Sequence, residues 1–577
     1  MKKVIFLKRM LSLALAGTLF VSLAACGKSQ DTVPVDAGQT DAGTYPIVDK
    51  PLTLTLWVDM RKASTTIQDF NEKACFKEME KKTGIHIEFK HPPAGQVTDQ
   101  FNLMVASNDY TDIIWKRPTE AIANQFIVPL NDYIDKYAPD YKKILDKYPN
   151  FKKSMYTDEG VLTGFGYVIP MLEQNIISGP MIRKDWLDKL GLKLPETIDD
   201  WEQVLTAFKE KDPNGNGKAD EIPYDSKKNT EIMLLSKAWG VKNDYYLEGE
   251  PQTGKVKYGP IEPAFKDFLV KMNDWYKKGL INTNYLTTDQ KLLDANITGN
   301  KSGATYGGIG GYLGNYTGLM IKDKDFLLWP TVMPRLTASG KTYGEIARQW
   351  TQGAADVAYI TTANKHVVET VRWLNWGYTE EGQMALNFGT EGQTYKMVDN
   401  KPVYTDEIMK NPKGLSITNA LAKDTMVADE HATFQKPEVL EQTTCASPAQ
   451  RQALRTWSVG LVDSASNTNL MLPPITLTAD ETSADNARMN DIKTYASEML
   501  DKFITGKEPL ENYDKFVSQL KKMGIDQSIK IRQDALERWR KRGGVEVTTK
   551  MESMKLNFKN SPLITEKGLD ILDKDLK

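Results

Sequence analysis

The chain has 577 residues, of which 40% are hydrophobic and 26% charged. This is the composition of an ordinary folded protein, and about 150 residues per domain allow two to four domains. The chain carries 74 basic and 76 acidic side chains, and loss of a leader with Lys2, Lys3, Lys8 and Arg9 would leave 70 against 76, a net charge of −6. No basic excess remains to neutralise a phosphate backbone, which argues against nucleic acid as a partner.

Residues 1–25 have the features of a lipoprotein signal peptide. A basic start is followed by an apolar run from Met10 to Ala25, which is too short for a stable membrane span. The run ends in LAACG at residues 23–27, which resembles the bacterial lipobox, where the cysteine sulfur receives a diacylglycerol. We therefore expect lipidation at Cys26 and a location on the extracytoplasmic face of the cell membrane; an ordinary secretory signal with an incidental cysteine is the alternative.

Residues 26–47 predict a flexible tether. The segment is rich in Gly, Ser, Thr and Asp and has few bulky apolar side chains, so burial cannot offset the entropy of ordering it. No later apolar stretch is long enough to span a bilayer. The sequence thus predicts a protein that is attached to the membrane by a lipid anchor and a flexible tether.

From Pro51 onward the pattern alternates strands and helices. Leu52, Leu54 and Leu56 alternate with threonines and predict a strand that ends at Trp57. A helix that ends at Gly84, a strand over 85–89, a further helix and a strand over 111–115 follow. This βαβαβ start predicts a parallel sheet with helices on both faces.

Later segments predict a helical C-terminal part. Thr197 is the expected N-cap of a helix with Trp201 and Phe208 on its apolar face. Similar faces recur within residues 265–276, 492–503 and 513–520. The sequence therefore predicts an α/β protein with a helical C-terminal part and without an internal repeat.

Residues 212–223 read DPNGNGKADEIP and have the pattern of a calcium-binding loop. Oxygen-bearing side chains recur at alternate positions around a glycine, as a hard cation requires. Pro223 stands where an EF-hand has its bidentate glutamate, and we expect Glu221 to take that role. A solvated loop without metal is the alternative. The expected ligands of a structural Ca²⁺ are Asp212, Asn214, Asn216, Asp220 and Glu221 through their side chains and Lys218 through its carbonyl.

The sequence does not decide whether Cys75 and Cys445 form a disulfide or remain two thiols. Cys75 falls in a helical pattern and Cys445 in a polar segment. An exported chain can join them, but spacing alone does not separate a disulfide from two thiols.

Several stretches together resemble extracellular solute-binding protein family 1, especially its long lipoproteins and alginate-binding members. They extend from residue 103 to residue 395, and their order and spacing are more specific than any one of them. The stretches are 103–115 (LMVASNDYTDIIW), 182–191 (IRKDWLDKLG), 212–223, 275–281 (WYKKGLI) and 387–395 (NFGTEGQTY).

The resemblance implies a periplasmic-binding-protein fold of type 2, with two α/β lobes joined by hinge strands. We place lobe 1 at about 48–172 and 335–390, and lobe 2 at about 173–334 and 391–577. The implied function is that of a substrate-binding lipoprotein, not an enzyme, which captures an oligosaccharide or related sugar between the lobes and delivers it to an ABC permease. The calcium ligands of the family carry over onto all six loop positions named above.

Candidate ligand contacts follow from strand ends and from the family pattern. Ligands of open α/β sheets lie beyond the carboxyl ends of strands, where Trp57 and Trp115 are expected. Aromatic rings match the apolar faces of sugars, and Lys116 with Arg117 is placed to pair with a carboxylated sugar. The family pattern adds Tyr312 and Trp350, and a Gly-rich loop after a helix adds Glu391 and Tyr395. For each of these residues, core or surface packing is the alternative.

Two other protein classes compete with this interpretation. A surface-anchored glycoside hydrolase or polysaccharide lyase would also use aromatic residues and calcium, and hydrolases need paired carboxylates. However, the sequence has no GxSxG, HExxH or P-loop motif, and its four histidines form no metal-like pair. A structural adhesin has little support from a single calcium loop.

Overall fold

The structure is a computed structural model that describes residues 41, 43–116, 126–171, 173–346, 351, 353–415, 417–427, 431–444, 447–458 and 469–546. The signal peptide, Cys26, Arg117, Trp350 and Cys445 lie outside the described residues. Within the described part, no helix is both long and apolar enough to cross a membrane.

Strands and helices alternate along the chain. The strands are β1 Leu52–Val58, β2 Ile85–Lys90, β3 Ile113–Trp115, β4 Phe165–Val168, β5 Ser178–Arg183, β6 Ile222–Tyr224, β7 Tyr245–Glu248, β8 Lys255–Tyr258, β9 Ser302–Gly308, β10 Leu328–Pro330, β11 Gly353–Ile360, β12 Tyr395–Val398 and β13 Lys401–Tyr404. The α-helices are Ala74–Thr83, Val97–Ser107, Asn131–Tyr137, Pro139–Lys147, Pro149–Ser154, Lys184–Leu190, Ile198–Glu210, Thr230–Met233, Pro263–Lys277, Gln290–Thr298, Asn315–Leu319, Val367–Trp376, Glu380–Phe388, Asp406–Met409, Ile417–Asp424, Pro437–Gln442, Pro448–Ser458, Ala479–Thr505, Tyr513–Lys522 and Ile525–Lys541.

The first sheet has the strand order β2-β1-β3-β11-β4. β1 pairs in parallel with β2 and with β3, which confirms the predicted βαβαβ start. β11 is antiparallel to both β3 and β4, so the complete sheet is mixed. Local signals place the first helix as predicted: it ends at Thr83, and Gly84 follows with φ 76°, a left-handed conformation that glycine adopts without steric cost.

The second sheet has the order β10-β5-β9-β6, with β5 antiparallel to its neighbours and β6 parallel to β9. The helix Ile198–Glu210 packs its buried face on this sheet. Its N-terminus is capped as predicted, because the Asp200 amide donates to Thr197 Oγ1 at 3.1 Å. We refer to each sheet with its packed helices as the first and the second lobe.

Each lobe has its own apolar core. The core of the first lobe contains Leu54, Ile85 and Ile113, and the chain returns to it at Ala422 and Met426. The core of the second lobe includes the C-terminal helices, so the predicted helical C-terminal part is confirmed. The lobe boundaries given above stay a prediction.

The chain passes twice from one sheet to the other, and both crossings use the same edge of each sheet. β4 ends at Val168 and β5 begins at Ser178, while β10 ends at Pro330 and β11 begins at Gly353. We call these two edges the joining edges. The carboxyl ends of β1, β2, β3 and β4 lie at the joining edge of the first sheet, and those of β6, β9 and β10 lie at that of the second.

A further segment, residues 431–437, adds to the joining edge of the first sheet. The Val168 amide donates to Thr433 O at 2.8 Å, and the Gln435 amide donates to Val168 O at 2.9 Å. The chain then continues to the helix Pro448–Ser458, where Trp457 Nε1 donates to Pro180 O of the second sheet at 3.2 Å.

The last residues of the predicted tether contact the first lobe. Ile47 is fully buried, and its amide donates to Thr83 O at 2.8 Å. Arg372 Nη2 donates to Asp41 O at 2.9 Å and to Thr44 O at 2.8 Å. The chain is thus held on the first lobe just before β1.

Candidate functional site

Trp57 and Trp115 both lie at the joining edge of the first sheet, but on opposite faces of it. In the register of β1 and β3, Trp115 is opposite Val58, and Trp57 is opposite Ile114. Paired residues share a face and successive residues alternate, so the two indoles point away from each other. Trp57 contacts Phe101, with ring centroids 5.8 Å apart. Both residues are largely buried, and their role in ligand binding stays a prediction.

The residues directly after β1 are candidates that were absent from the sequence-based set. Arg61 has φ 45°, an uncommon conformation for a residue other than glycine, and its guanidinium lies 5.9 Å from the centre of the Trp115 ring. The Arg61 amide donates to Asp59 Oδ1 at 3.2 Å. Asp59 and Arg61 directly follow the strand that carries Trp57, so their place at its carboxyl end could have identified them in the sequence.

His431 lies behind Trp115, with ring centroids 4.8 Å apart. It is 1% exposed, and neither ring nitrogen has a hydrogen-bond partner within the described part of the chain. Burial and the nearby Lys73 lower the pKa of His431 to about 3, so its imidazole is neutral at ordinary pH. A neutral ring packed on Trp115 supports the position of the indole.

Lys116 follows directly on β3, and its Nζ lies 5.4 Å from the centre of the Phe101 ring. Phe101 also contacts Trp57, so these three side chains form one group at the joining edge. A cation next to aromatic rings can bind a carboxylate or a hydroxyl of a ligand.

Tyr312 lies just beyond β9, at the joining edge of the second sheet, in a polar network. Its hydroxyl donates to Glu231 Oε1 at 2.9 Å and accepts from Lys227 Nζ at 2.9 Å. Lys227 Nζ also donates to Gln290 Oε1 at 2.9 Å. Gly307 makes room for the tyrosine ring, because a Cβ at that position would overlap it. Burial, and then the charge of Glu231, raise the pKa of Tyr312, so the phenol stays protonated.

Glu391 and Tyr395 lie elsewhere, in a small unit built around the hairpin β12–β13. Glu391 is exposed, and Tyr395 is buried against Phe388, with ring centroids 5.7 Å apart. The unit contacts the 431–437 segment, since Asn387 Nδ2 donates to Phe434 O at 3.0 Å. The role of these two residues in ligand binding stays a prediction.

The predicted calcium loop is folded around its own polar side chains. Asp212 has φ 42°, and its carboxylate accepts from the amides of Asn216 at 3.1 Å and Gly217 at 3.0 Å. Asn216 Nδ2 and Asn214 Nδ2 both donate to Asp220 Oδ1, at 2.9 and 3.3 Å. Rotating either amide by half a turn would present its oxygen to the same centre. The Lys218 amide donates to Asn216 Oδ1 at 2.8 Å.

Glu221 provides the test of whether this loop fits a cation. Its Oε1 atom is buried and has no hydrogen-bond partner within the described residues. Burial, followed by the charges of Asp212 and Asp220, raises the pKa of Glu221. A buried carboxylate oxygen without a partner is costly, and a cation between these three residues would supply the missing charge. The donor set is one that a Ca²⁺ ion accepts.

The described residues contain no cluster of three or more His, Cys, Asp or Glu side chains that could hold a metal ion. The predicted set includes three carboxylates, Asp212, Asp220 and Glu221, which the structure does not bring together as such a cluster, so Ca²⁺ binding by the loop stays a prediction. Cys75, the other candidate for special chemistry, is buried in the helix Ala74–Thr83.

Comparison with known proteins places this arrangement in a family. The fructooligosaccharide ABC transporter substrate-binding protein FusA of Streptococcus pneumoniae serotype 4 is 30% identical over 388 residues, which cover 64% of this chain and 69% of FusA. A crystal structure of the alginate-binding protein AlgQ2 without calcium ion superposes with a TM-score of 0.64 and 26% identity, covering 86% of this chain and all of that one.

A structure of a FusA EF-hand mutant in complex with fructo-nystose shares the fold, with a TM-score of 0.64, 22% identity and coverage of 85% and 99% of the two chains. The predicted two-lobed α/β class is thereby confirmed. The sequence profile of bacterial extracellular solute-binding proteins matches residues 59–384. The chain belongs to the bacterial extracellular solute-binding protein family.

Proposed function

We propose that this protein captures an oligosaccharide between its two lobes and delivers it to the permease of an ABC importer. The observation that carries the proposal is the pair of joining edges. Strand ends of both sheets meet the chain crossings there, and they carry Trp57, Trp115 and Lys116 on one side and Tyr312 on the other. Ligands of open α/β sheets bind at such strand ends.

The relatives support a sugar as the solute. FusA is a substrate-binding protein for fructooligosaccharides, and AlgQ2 binds alginate. The side chains at the joining edges are of the types that bind sugars: aromatic rings for the apolar ring faces, and polar or charged groups for hydroxyls and carboxylates. Arg61, Lys116 and Lys227 give this region basic groups on both sides, which favours a sugar that carries a carboxylate.

Two further features belong to the proposal. The six predicted ligands in the 212–221 loop would hold one structural Ca²⁺, which would fix the loop after the helix Ile198–Glu210. Among the relatives, the AlgQ2 structure is one without calcium ion, and one FusA structure is of an EF-hand mutant. Cys26 would carry the lipid that keeps the protein at the extracytoplasmic face of the membrane. Replacing Cys26 by serine should move the protein from the membrane fraction to the medium.

The proposed activity is equilibrium binding without chemistry. The family consists of solute-binding proteins, and the proposal assigns no catalytic residue. Incubation of the pure protein with each bound oligosaccharide should return the oligosaccharide intact. Release of shorter products at a rate proportional to protein concentration would favour a glycoside hydrolase or lyase.

A thermal-shift screen tests the sugar directly. The probes are kestose, which is neutral, and an alginate trisaccharide, which carries carboxylates. Binding to the folded state raises the melting temperature, and the size of the rise follows the ligand concentration relative to the dissociation constant. A concentration-dependent rise with either sugar supports the proposal, and its size decides between them. No rise with these or other oligosaccharides would contradict it.

A further inference from the structure

A cavity lies against the β7–β8 hairpin of the second lobe. Its volume is about 590 Å³, within the range of about 300–1,000 Å³ that is typical of small-ligand sites. The 3₁₀ helix Leu234–Trp239, the β7–β8 hairpin and the start of the helix Pro263–Lys277 form its walls. None of its described lining residues belongs to the two large sheets or directly follows a strand at the joining edges.

Two half-buried aromatic rings line this cavity. Trp239 packs edge-on against Phe268, with ring centroids 5.4 Å apart, and keeps part of its indole exposed. The Tyr343 ring lies over Gly240, where a Cβ would come within 3.0 Å of it. Gly240 also has φ 70°, so glycine is required both for the backbone and for the approach of the tyrosine.

The third ring supplies a hydroxyl without a partner. Tyr246 is only 2% exposed and lines the cavity. No hydrogen bond joins its hydroxyl to a described residue, and the oxygen is not among the buried atoms sealed from solvent, so solvent can reach it. Burial, and then the charges of Glu262 and Glu248, raise the pKa of Tyr246, which keeps the hydroxyl protonated and able to donate.

The rim of the cavity is acidic. Glu248, Glu250 and Glu262 line it together with one cation, Lys341. Lys257 reaches Glu262 at 3.3 Å and Glu248 at 3.8 Å from one side. Carboxylates accept hydrogen bonds from sugar hydroxyls, and they repel a ligand that is itself an anion.

The geometry points to a second saccharide site, which takes one neutral sugar unit against Trp239 and Tyr343, with Tyr246 and Glu262 on its hydroxyls. Aromatic faces match the apolar face of a pyranose, and the phenol and carboxylates match its polar rim. This site uses none of the strand-end residues proposed to bind the oligosaccharide between the lobes. It holds whether or not those residues bind an oligosaccharide.

Fluorine NMR of the full chain labelled with 5-fluorotryptophan tests the site. The chain has 12 tryptophans, and loss of one signal in Trp239→Phe assigns Trp239. The probes are methyl α-D-glucopyranoside, which is neutral, and glucuronate, which is anionic. A single sugar ring is expected to bind with a dissociation constant of roughly 1–10 mM, as suits a ligand of this size.

The expected result is a saturable shift of the Trp239 signal with the glucoside and at least a fivefold weaker response to glucuronate. Tyr246→Phe should weaken glucoside binding about fivefold, because it removes only the unpartnered hydroxyl and leaves the fold intact. Tyr495→Phe, which alters a ring packed on Phe516 at 5.8 Å, should leave the binding constant unchanged. A Trp239 signal that does not move up to 100 mM glucoside, or that moves equally in Tyr246→Phe, would overturn the site.

Discussion

Asp158 and Arg542 join the two lobes by a short, mostly buried ion pair. Asp158 Oδ1 accepts from Arg542 Nε at 2.8 Å and lies 2.7 Å from Nη2. Asp158 precedes β4 of the first sheet, and Arg542 follows the last helix of the second lobe. The other carboxylate oxygen of Asp158 accepts from Arg538 Nε at 3.1 Å. The end of the C-terminal helix is therefore held on the first lobe.

We predict that Asp158→Asn lowers the free energy of unfolding by about 3 kcal/mol, because Arg542 would keep its charge while 1% exposed. Urea denaturation measures this change. The control is Glu498→Gln, which removes an exposed partner of Lys502 and should cost at most about 1 kcal/mol. Equal, small losses in both variants would show that the lobe-to-lobe pair contributes little.

Glu345 makes the stability depend on pH in the acidic range. Burial opposes its charge, but Lys237 and Lys242, at 2.5 and 2.6 Å, outweigh burial and lower the pKa of Glu345 to about 2. A carboxyl with a lowered pKa stabilises the fold above the ordinary value of 4.5, and this contribution is lost as pH falls from about 4.5 to 2.

We therefore predict that Glu345→Gln costs about 3 kcal/mol at pH 7 and progressively less below pH 4.5. Denaturant melts at pH 7, 4 and 3 measure this difference. The exposed Glu498→Gln serves again as the control and should show a small cost at every pH. A cost of Glu345→Gln that stays constant down to pH 3 would contradict the assignment.

Calcium should raise the melting temperature through the 212–221 loop. A ligand at 100 times its dissociation constant stabilises by about 2.7 kcal/mol, which for a chain of this size means about 2 °C or more. Glu221→Gln should remove most of the rise, since it neutralises the buried carboxylate. Asp323→Asn, in a different acidic loop, should retain it. An equal rise in both variants would place the ion elsewhere.

Trp115 and Trp373 form a matched pair that tests whether Trp115 contributes to sugar binding between the lobes. Both rings contact His431, at 4.8 and 6.0 Å, and both residues are buried, but only Trp115 ends a strand at the joining edge. We predict that each Trp→Phe change costs about 1–3 kcal/mol of stability. Only Trp115→Phe should weaken sugar binding, by about tenfold in calorimetry. Equal affinities in the two variants would remove Trp115 from the binding surface.

Local sequence signals predicted the helices and strands of this fold, but the order of the strands depends on pairing between distant segments and could not be predicted. The glycine at 84 and the N-cap at Thr197 depend on neighbouring residues, so they could be found in the sequence. The insertion of β11 between β3 and β4 depends on strands about 200 residues apart, and no local pattern specifies it.

Nonlocal pairing also limited how much of the candidate site could be predicted from the sequence. Strand-end reasoning found Trp57 and Trp115, but the faces they occupy follow from the register of β1 with β3. Arg61 could have been named from its place after β1. His431 could not, because its contact with Trp115 joins segments that are far apart in sequence.

Small-angle X-ray scattering with and without the oligosaccharide from the thermal-shift screen tests the central claim most directly. If the two lobes close on a sugar held between the joining edges, the radius of gyration falls when the ligand saturates the protein. A radius of gyration that is identical in the free and the saturated protein would contradict capture by lobe closure.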